Sequence, residues 1–405
     1  MVRHPPGLAE GQPGQAAALT PEQARRLLSP AGRDAVALAG TFDLAPAARL
    51  PTAQGMRAAV GPELGPLALA QAVLKHRARG KHPQGHRLWW TAEALEQASS
   101  SDVAQHRSSR YTDAPHVLDL GCSVGGDLLA LASVAPSTGV DLDETRLLLA
   151  RENLRELGLE ASLVRADVTR LDPRGAVFAD PARRAGGRRV FDPRSYTPPL
   201  DQVLGWLPQL TVLGVKVSPG IDYEVLPPEL EVEVVSLRGE VKEAVLWGGS
   251  ARRGSRRSAT LLPAGNVLTD APVAAPVVRP PGAFLLEPDG AVVRAHLVAQ
   301  VAAAVGGWLL DDTIAYISSD SLVRTPFGSW FRVLETLPFG LKPLRERLRA
   351  HDAGQLVVKK RGTAVEPDIL RKQLKLTGSR EVTVVLTRSA GKQIVLIVES
   401  DREPS

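Results

Sequence analysis

The chain has 405 residues, 44% hydrophobic and 23% charged, which excludes a disordered chain and leaves length for two to three domains. Its single cysteine, Cys122, excludes an intrachain disulfide and a cysteine-based zinc cluster, no metal site is expected, and this usage fits a reducing cytoplasm. The net charge of +5 is uneven: residues 341–405 carry 14 Lys and Arg against 8 Asp and Glu, a net of +6, and a basic appendage on a neutral body suggests a polyanion, most commonly nucleic acid.

Residues 1–112 read as a mainly helical N-terminal domain without strand-like alternation. The start, Met1-Val2-Arg3-His4-Pro5-Pro6, lacks the apolar core of a signal peptide. Thr20-Pro21-Glu22-Gln23 offers an N-cap with proline at the first helical position. The run Lys75-His76-Arg77-Ala78-Arg79-Gly80-Lys81-His82 closes a helix, where its charge either complements the helix dipole or contacts RNA. The most apolar later stretch, 297–310, is too short and interrupted for a membrane span, so the expectation is a soluble cytoplasmic protein that meets no membrane.

Residues 113–265 alternate strand and helix, the pattern of a parallel α/β sheet. Seven strands are expected, at 116–120, 138–142, 162–166, 175–179, 210–217, 230–237 and 244–247. Residues 266–282, with Pro272, Pro276, Pro280 and Pro281, read as a linker. Beyond it, 283–286 and 292–293 suggest a hairpin, 296–305 a helix and 313–318 a strand. From about 329 the predicted order is strand 331–334, helix 341–351, strand 355–360, helix 367–374 and strands 381–387 and 393–398, which resembles a small ferredoxin-like sandwich.

The most informative run is His116-Val117-Leu118-Asp119-Leu120-Gly121-Cys122-Ser123-Val124-Gly125-Gly126-Asp127, a short apolar strand breaking into a small-residue loop before an apolar helix. Such a loop lets the backbone approach a cofactor at a helix N-terminus. The G-x-G-x-x-G of a dinucleotide site is missing. Instead Asp119-x-Gly121-x-Ser123-x-Gly125 resembles the first motif of class I S-adenosylmethionine-dependent methyltransferases, with Ser123 in place of the middle glycine. Gly139-Val140-Asp141-Leu142-Asp143 then ends the next strand in an acid suited to a ribose diol, and Arg165-Ala166-Asp167-Val168 supplies a third acid. Helix capping is the plainer use of such aspartates. The resemblance implies that Gly121, Ser123 and Gly125 lie under the methionine and ribose, and that Asp119 organises the loop or faces the methionine ammonium. It implies further that Asp141 holds the ribose hydroxyls, with Asp143 a second candidate, and that Asp167 and Val168 border the adenine.

After the fourth predicted strand comes Ala179-Asp180-Pro181-Ala182-Arg183-Arg184, where nucleic-acid methyltransferases carry an Asn/Asp-Pro-Pro-aromatic tetrad. Asp180 and Pro181 match; Ala182 and Arg183 do not. With no second cysteine for covalent pyrimidine chemistry, direct in-line transfer to a nitrogen or oxygen is expected. The catalytic candidates are Asp180, Pro181, Arg183 and Lys216, which nears the end of an apolar strand. Arg184, Arg188 and Arg189 are candidates for RNA contact, since arginine forks phosphate. Arg252, Arg253, Arg256 and Arg257 form another cluster.

The whole order resembles a bacterial family of methyltransferase-like proteins with a C-terminal THUMP-like domain, carried by Asp180-Pro181-Ala182-Arg183-Arg184 and by Val358-Lys359-Lys360-Arg361-Gly362 through Leu386-Thr387-Arg388. The resemblance implies a seven-stranded Rossmann-like methyltransferase domain at 113–265, a ferredoxin-like element at 283–328 and a THUMP-like domain at 329–405, both α+β. It implies S-adenosylmethionine as cofactor and structured RNA, tRNA or rRNA, as partner and substrate, with Lys359, Lys360, Arg361 and Arg388 at phosphates. Two other readings stay open: an RNA-binding protein whose methyltransferase fold is inactive, and a methyltransferase of a small molecule or a protein.

Overall fold

The computed structural model describes residues 18–182, 184–185, 188–189 and 192–401. In chain order it begins with helices α1 (Pro21–Leu28), α2 (Pro30–Ala39), α3 (Arg49–Val60), α4 (Leu64–Ala78), α5 (Ala92–Gln97) and α6 (Ser101–Ser108). Strand β1 (Val117–Leu120), α7 (Leu128–Ala132), β2 (Ser137–Asp141), α8 (Glu144–Leu157), β3 (Ser162–Arg165) and β4 (Gly175–Ala179) follow. Two compact units result: residues up to Ser101 with Cys122–Val168, and Asp102–Gly121 with everything from Thr169 onward.

The first unit is built from capped helices around one core. Thr20 accepts the Gln23 backbone N–H while the Gln23 side chain accepts the Thr20 N–H, a capping box with Pro21 at the first helical position. Asp143 caps α8 by accepting from Thr145 and Arg146, and Gly158 ends it in the left-handed conformation, φ 67°. Leu27, Met56, Leu88, Trp89 and Trp90 pack with Leu128 and Leu129 of α7 and with Leu147, Leu149 and Leu154 of α8. The N-terminal helices therefore share their core with the α/β segment that follows the glycine loop. In that segment β2 and β3 pair in parallel, from Thr138 opposite Ser162 to Asp141 opposite Arg165.

The second unit holds two sheets. After β4 come a two-residue ribbon, β5 (Arg184–Ala185) with β6 (Arg188–Arg189), then α9 (Leu200–Gly205), β7 (Leu210–Val217), β8 (Glu231–Leu237), β9 (Glu240–Gly249), β10 (Arg257–Leu262) and β11 (Asn266–Thr269). Strands β1, β4 and β7 are parallel, with Leu120 level with Ala179 and Ala179 level with Val215. Strand β9 turns back antiparallel between β7 and β8, and β10 and β11 extend the sheet beyond β8. The hairpin-like pair expected at the end of this domain is thus followed by a further hairpin. The Pro-rich stretch read as linker from residue 266 begins as β11, because 266–269 pair with β10.

A buried ion cluster fastens α6 and the turn after it to this sheet. Glu231 and Glu233 alternate on β8, so both carboxylates leave the same face. Arg110 donates to both Glu231 oxygens at 2.9 and 3.0 Å, to Glu233 at 2.9 Å and to the Ala251 carbonyl at 2.7 Å. Glu233 also accepts from Trp247 Nε1 at 2.8 Å and Thr260 Oγ1 at 2.5 Å, and lies 2.8 Å from His106 Nε2. Arg107 pairs with Glu243. Burial alone would raise the Glu233 carboxyl, but His106, Arg110 and Thr260 outweigh it and hold it far below its usual range.

The second sheet collects β12 (Phe284–Pro288), β13 (Trp308–Asp311), β14 (Ile314–Ser319), β15 (Gly328–Pro338), β16 (Ala353–Lys360), β17 (Arg380–Ser389) and β18 (Lys392–Ser400), in the order β13-β14-β12-β15-β18-β17-β16. Helices α10 (Gly290–Arg294), α11 (Val298–Ala304), α12 (Leu341–Ala350) and α13 (Pro367–Leu374) complete the chain. The strand–helix order from β15 to β18 is that expected from the sequence. Strands of the expected ferredoxin-like element and of the expected THUMP-like domain share this one sheet. Its alternating residues serve two cores: Val384 and Ile397 pack with α12 and α13, while Val385 and Leu396 pack with Leu285, Tyr316 and Phe331. Residues 292–293, expected as a strand, lie in α10, because Asp289 accepts the Ala291 N–H and caps a helix there. Among the described residues no helix is long and apolar enough to cross a membrane.

Truncating Glu233 to alanine leaves Arg110 buried with one carboxylate fewer, and a loss of about 3–5 kcal/mol is expected in denaturant unfolding. Glu335, held at about 2 by Arg347 against opposing burial and with help from His351, stabilises the fold above its unfolded value of 4.5. Acid titration of stability should therefore show a decline between about 4.5 and 2 that Glu335→Gln flattens; an unchanged pH slope in that variant would refute the linkage.

Candidate functional site

The expected cofactor residues fall in both units, and the geometry of each part stands by itself. In the first, Ser123 has φ 51° and Gly125 φ 92°, so the loop takes two left-handed residues within three positions. Asp141, at the end of β2 and buried, closes it: one carboxylate oxygen accepts the Ser123 N–H at 2.9 Å and the other the Asp143 N–H at 2.9 Å. Each oxygen keeps a second lone pair for another donor. Asn153 of α8 holds the loop from the other side, donating to the Val124 and Trp89 carbonyls at 2.8 and 3.0 Å and accepting the Trp89 N–H at 2.6 Å. Gly139 is needed in β2 because a Cβ there would meet Leu128 at 2.6 Å and Cys122 Sγ at 2.9 Å.

Asp143 is the α8 cap rather than a second Asp141, since its oxygen is engaged by Thr145 and Arg146. Asp167 and Val168 follow β3 beside this point, where the Ala166 N–H reaches the Asp141 carbonyl at 3.2 Å. The sequence reading missed Leu142. It is 61% exposed between the two aspartates, a leucine with no core to fill and an apolar face to offer an adenine ring. Its signal was its place next to Asp141 at a strand end.

In the second unit Asp119 and Gly121 close β1. Asp119 is buried within the strand, level with Phe178, and its charge adds to burial in pushing the Tyr111 phenol well above its usual value. Tyr111 donates to the Val177 carbonyl at 2.8 Å. Gly121 has φ 86°, and a Cβ on it would stand 3.6 Å from the Asp180 carbonyl oxygen, so the ends of β1 and β4 approach closely. Asp180 accepts from Lys216 Nζ at 2.7 Å, with the lysine 7% and the aspartate 26% exposed. Pro181 is buried, and Ala182 exchanges two backbone hydrogen bonds with Thr197, at 2.9 and 3.1 Å. Tyr196 beside that bridge is buried with no partner for its hydroxyl among the described residues. The sequence reading missed it, because nothing before folding ties it to Asp180.

Other expected residues are already engaged. Lys359 pairs with Glu287 at 2.5 Å, Lys360 with Glu366 at 2.9 Å, Arg361 with the Ala315 carbonyl at 2.7 Å, and Arg388 with Thr313 at 2.6 Å. Arg361 also stands 3.8 Å from Glu287 and Arg388 3.9 Å from Asp311. In the 252–257 cluster, Arg253 and Arg257 face Glu233 and Asp270 at 3.9 and 3.6 Å. Arg183 and the side chains of Arg184, Arg188 and Arg189 lie outside the described residues.

Parallel strands ending in a left-handed glycine loop, an acid after the second strand and an Asp-Pro turn after the fourth define an S-adenosylmethionine-dependent methyltransferase. Residues 117–179 match the methyltransferase-domain family, 328–400 the THUMP domain-like family and 20–78 a domain of unknown function. An uncharacterized S-adenosylmethionine-dependent methyltransferase of Mycobacterium tuberculosis, found in strains CDC 1551 and H37Rv, is 44% identical over 345 residues, 82% of this chain and 95% of that one. The chain belongs to this family of S-adenosylmethionine-dependent methyltransferases with a C-terminal THUMP-like domain. A crystal structure from Porphyromonas gingivalis W83, of a protein provisionally named a methyltransferase, superposes with a TM-score of 0.74 at 22% identity, covering 91% of this chain and 98% of that one.

The donor set suits S-adenosylmethionine: a loop held at positive φ, a buried carboxylate with spare lone pairs, and an exposed leucine beside it. Asp141→Ala removes the acceptor of two backbone N–H groups, so cofactor affinity should fall roughly 10- to 100-fold in calorimetry. Unchanged affinity would remove Asp141 from the site.

Proposed function

We propose that the protein methylates a base nitrogen of structured RNA, tRNA or rRNA, by direct in-line transfer. The observation that carries the reading is the Asp180–Lys216 pair at the ends of the parallel strands β4 and β7, where open α/β sheets take their ligands. Gly121, Ser123, Gly125, Asp141, Asp167 and Val168 are the proposed cofactor contacts, with Asp119 organising the loop from within β1. S-adenosylmethionine supplies an electrophilic methyl group. Asp180 presents a carboxylate oxygen to an N–H of the target base, while Lys216 holds the other oxygen and fixes the carboxylate's direction. Pro181, buried and rigid in φ, keeps Asp180 at the strand end. With the cofactor bound, its methyl would pass to the nitrogen lone pair and its sulfonium would leave as a neutral thioether, while Asp180 or water would take the N–H proton. Positioning and exclusion of water carry the rate. Arg183, with Arg184, Arg188 and Arg189, is proposed to flank the RNA backbone.

The THUMP domain-like match at 328–400 and the positive charge beyond residue 341 support RNA over a small molecule or a protein. Lys359, Lys360, Arg361 and Arg388, each also held by an intramolecular partner, are proposed phosphate contacts through their remaining N–H groups.

Modified-nucleoside mass spectrometry of tRNA and rRNA from cells with and without the protein should show one N-methylated nucleoside missing without it. Asp180→Asn and Lys216→Met should fail to restore it, with rates down roughly 10²- to 10⁴-fold in vitro. An unchanged nucleoside profile beside intact cofactor binding would overturn the RNA substrate.

A further inference from the structure

The basic run at 75–82 is the sequence motif that methyl transfer leaves unused, and the fold does not spend most of it on the end of α4. The carbonyls of His76, Arg77 and Ala78 are taken by the backbone N–H groups of the following turn, residues 79–82. Lys81 reaches across instead to the Leu95, Glu96 and Ala98 carbonyls at 2.6, 2.7 and 3.1 Å. Lys75, His76 and Arg79 of the run open onto a cleft of about 470 Å³ within the first unit.

Arg33, Lys75, His76, Arg79 and His86 line the polar side of this cleft and Trp89 its floor. Lys75 Nζ stands 4.2 Å and Arg33 5.4 Å from the Trp89 ring centroid. Trp89 Nε1 is buried with no acceptor among the described residues. Glu156 is the acidic lining residue, and Arg33 and Arg87 hold it at 3.2 and 3.8 Å. His76 and Arg79 are exposed and form no ion pair among the described residues. Arg33 donates to the Leu28 carbonyl at 3.0 Å and pairs with Glu152 as well as Glu156, and Lys75 donates to the Arg87 carbonyl at 2.6 Å, so the donors left open to a ligand are those of His76 and Arg79 and the further N–H groups of Lys75. Burial, with a smaller contribution from Arg33 and partly offset by Glu156 and Glu152, lowers Lys75 to about 8.

We propose that this cleft binds a phosphate group, carried by an RNA backbone or by a free nucleotide. The phosphate oxygens accept from His76, Arg79 and Lys75, and the apolar wall of Val36, Ala37 and Leu44 leaves room for the attached ribose and base. The site is independent of the methyl-transfer reading, since none of its residues belongs to the cofactor or acceptor set.

The test uses the full-length protein, AMP and a short fluorescein-labelled single-stranded RNA as probes, and the exposed double variant His76→Ala/Arg79→Ala. Calorimetry with AMP and anisotropy with RNA should show binding of one or both, weakened roughly tenfold in the variant, while S-adenosylmethionine affinity stays unchanged. Arg79→Lys, which keeps the charge, should retain most of the affinity. Tighter RNA than AMP binding, with a salt slope that shrinks in the variant, identifies an RNA backbone as the source. AMP binding that RNA does not better identifies a free nucleotide. Neither probe binding, or a double variant that binds both as well as the native chain, would overturn the proposal, and unchanged cofactor affinity keeps that failure separate from any failure of the methyltransferase site.

Discussion

Arg110, fixed between Glu231 and Glu233, is the contact on which the second unit depends. A desolvated guanidinium is costly unless its donors are matched, and here two carboxylates and a carbonyl match them. The consequence is positional. Arg110 lies just before β1, so pinning it to β8 fixes where β1 starts beside β4. Leu120 then comes level with Ala179, and the next residues, Gly121 and Asp180, meet at the ends of adjacent parallel strands. Gly214 in β7 serves the same packing, because a Cβ there would strike the Tyr111 hydroxyl at 2.4 Å and the Trp247 ring at 2.7 Å.

In the first unit the carboxylate that reads as a ribose ligand is also the support of the loop. Asp141 spends one lone pair of each oxygen on the Ser123 and Asp143 backbones, which holds Ser123 in a left-handed conformation that a side chain resists. Asn153 adds a second tether and ties the loop to Trp89 in the helical region. The N-terminal helices are thereby part of the loop's support as well as of its core. A glycine loop alone would be a flexible platform; these side chains make it a shaped one.

Charge behaves differently in sequence and in space. The basic excess after residue 341 is real in number, and Lys359, Lys360, Arg361 and Arg388 are each also paired with a neighbour from another strand or turn. The run at 75–82, weighed first as a helix-end complement, leaves His76 and Arg79 open on a cleft. Counting charges along a chain cannot tell the two cases apart, because pairing depends on residues tens of positions away, such as Glu287 for Lys359.

By itself the sequence determined most of the parallel strands and the cofactor. Apolar alternation and capping residues act over a few positions, so β4, β7 and the order from β15 to β18 were legible, as was the Asp119–Gly125 motif with its acids at 141 and 167. It could not decide long-range partnership. That β11 would extend a sheet rather than begin a linker, that 292–293 would join a helix capped by Asp289, and that Asp180 would meet Lys216 thirty-six positions on were settled by packing. Local hydrogen bonding is written in neighbouring residues, whereas the choice among distant partners is made only when the core closes and every buried donor must find an acceptor.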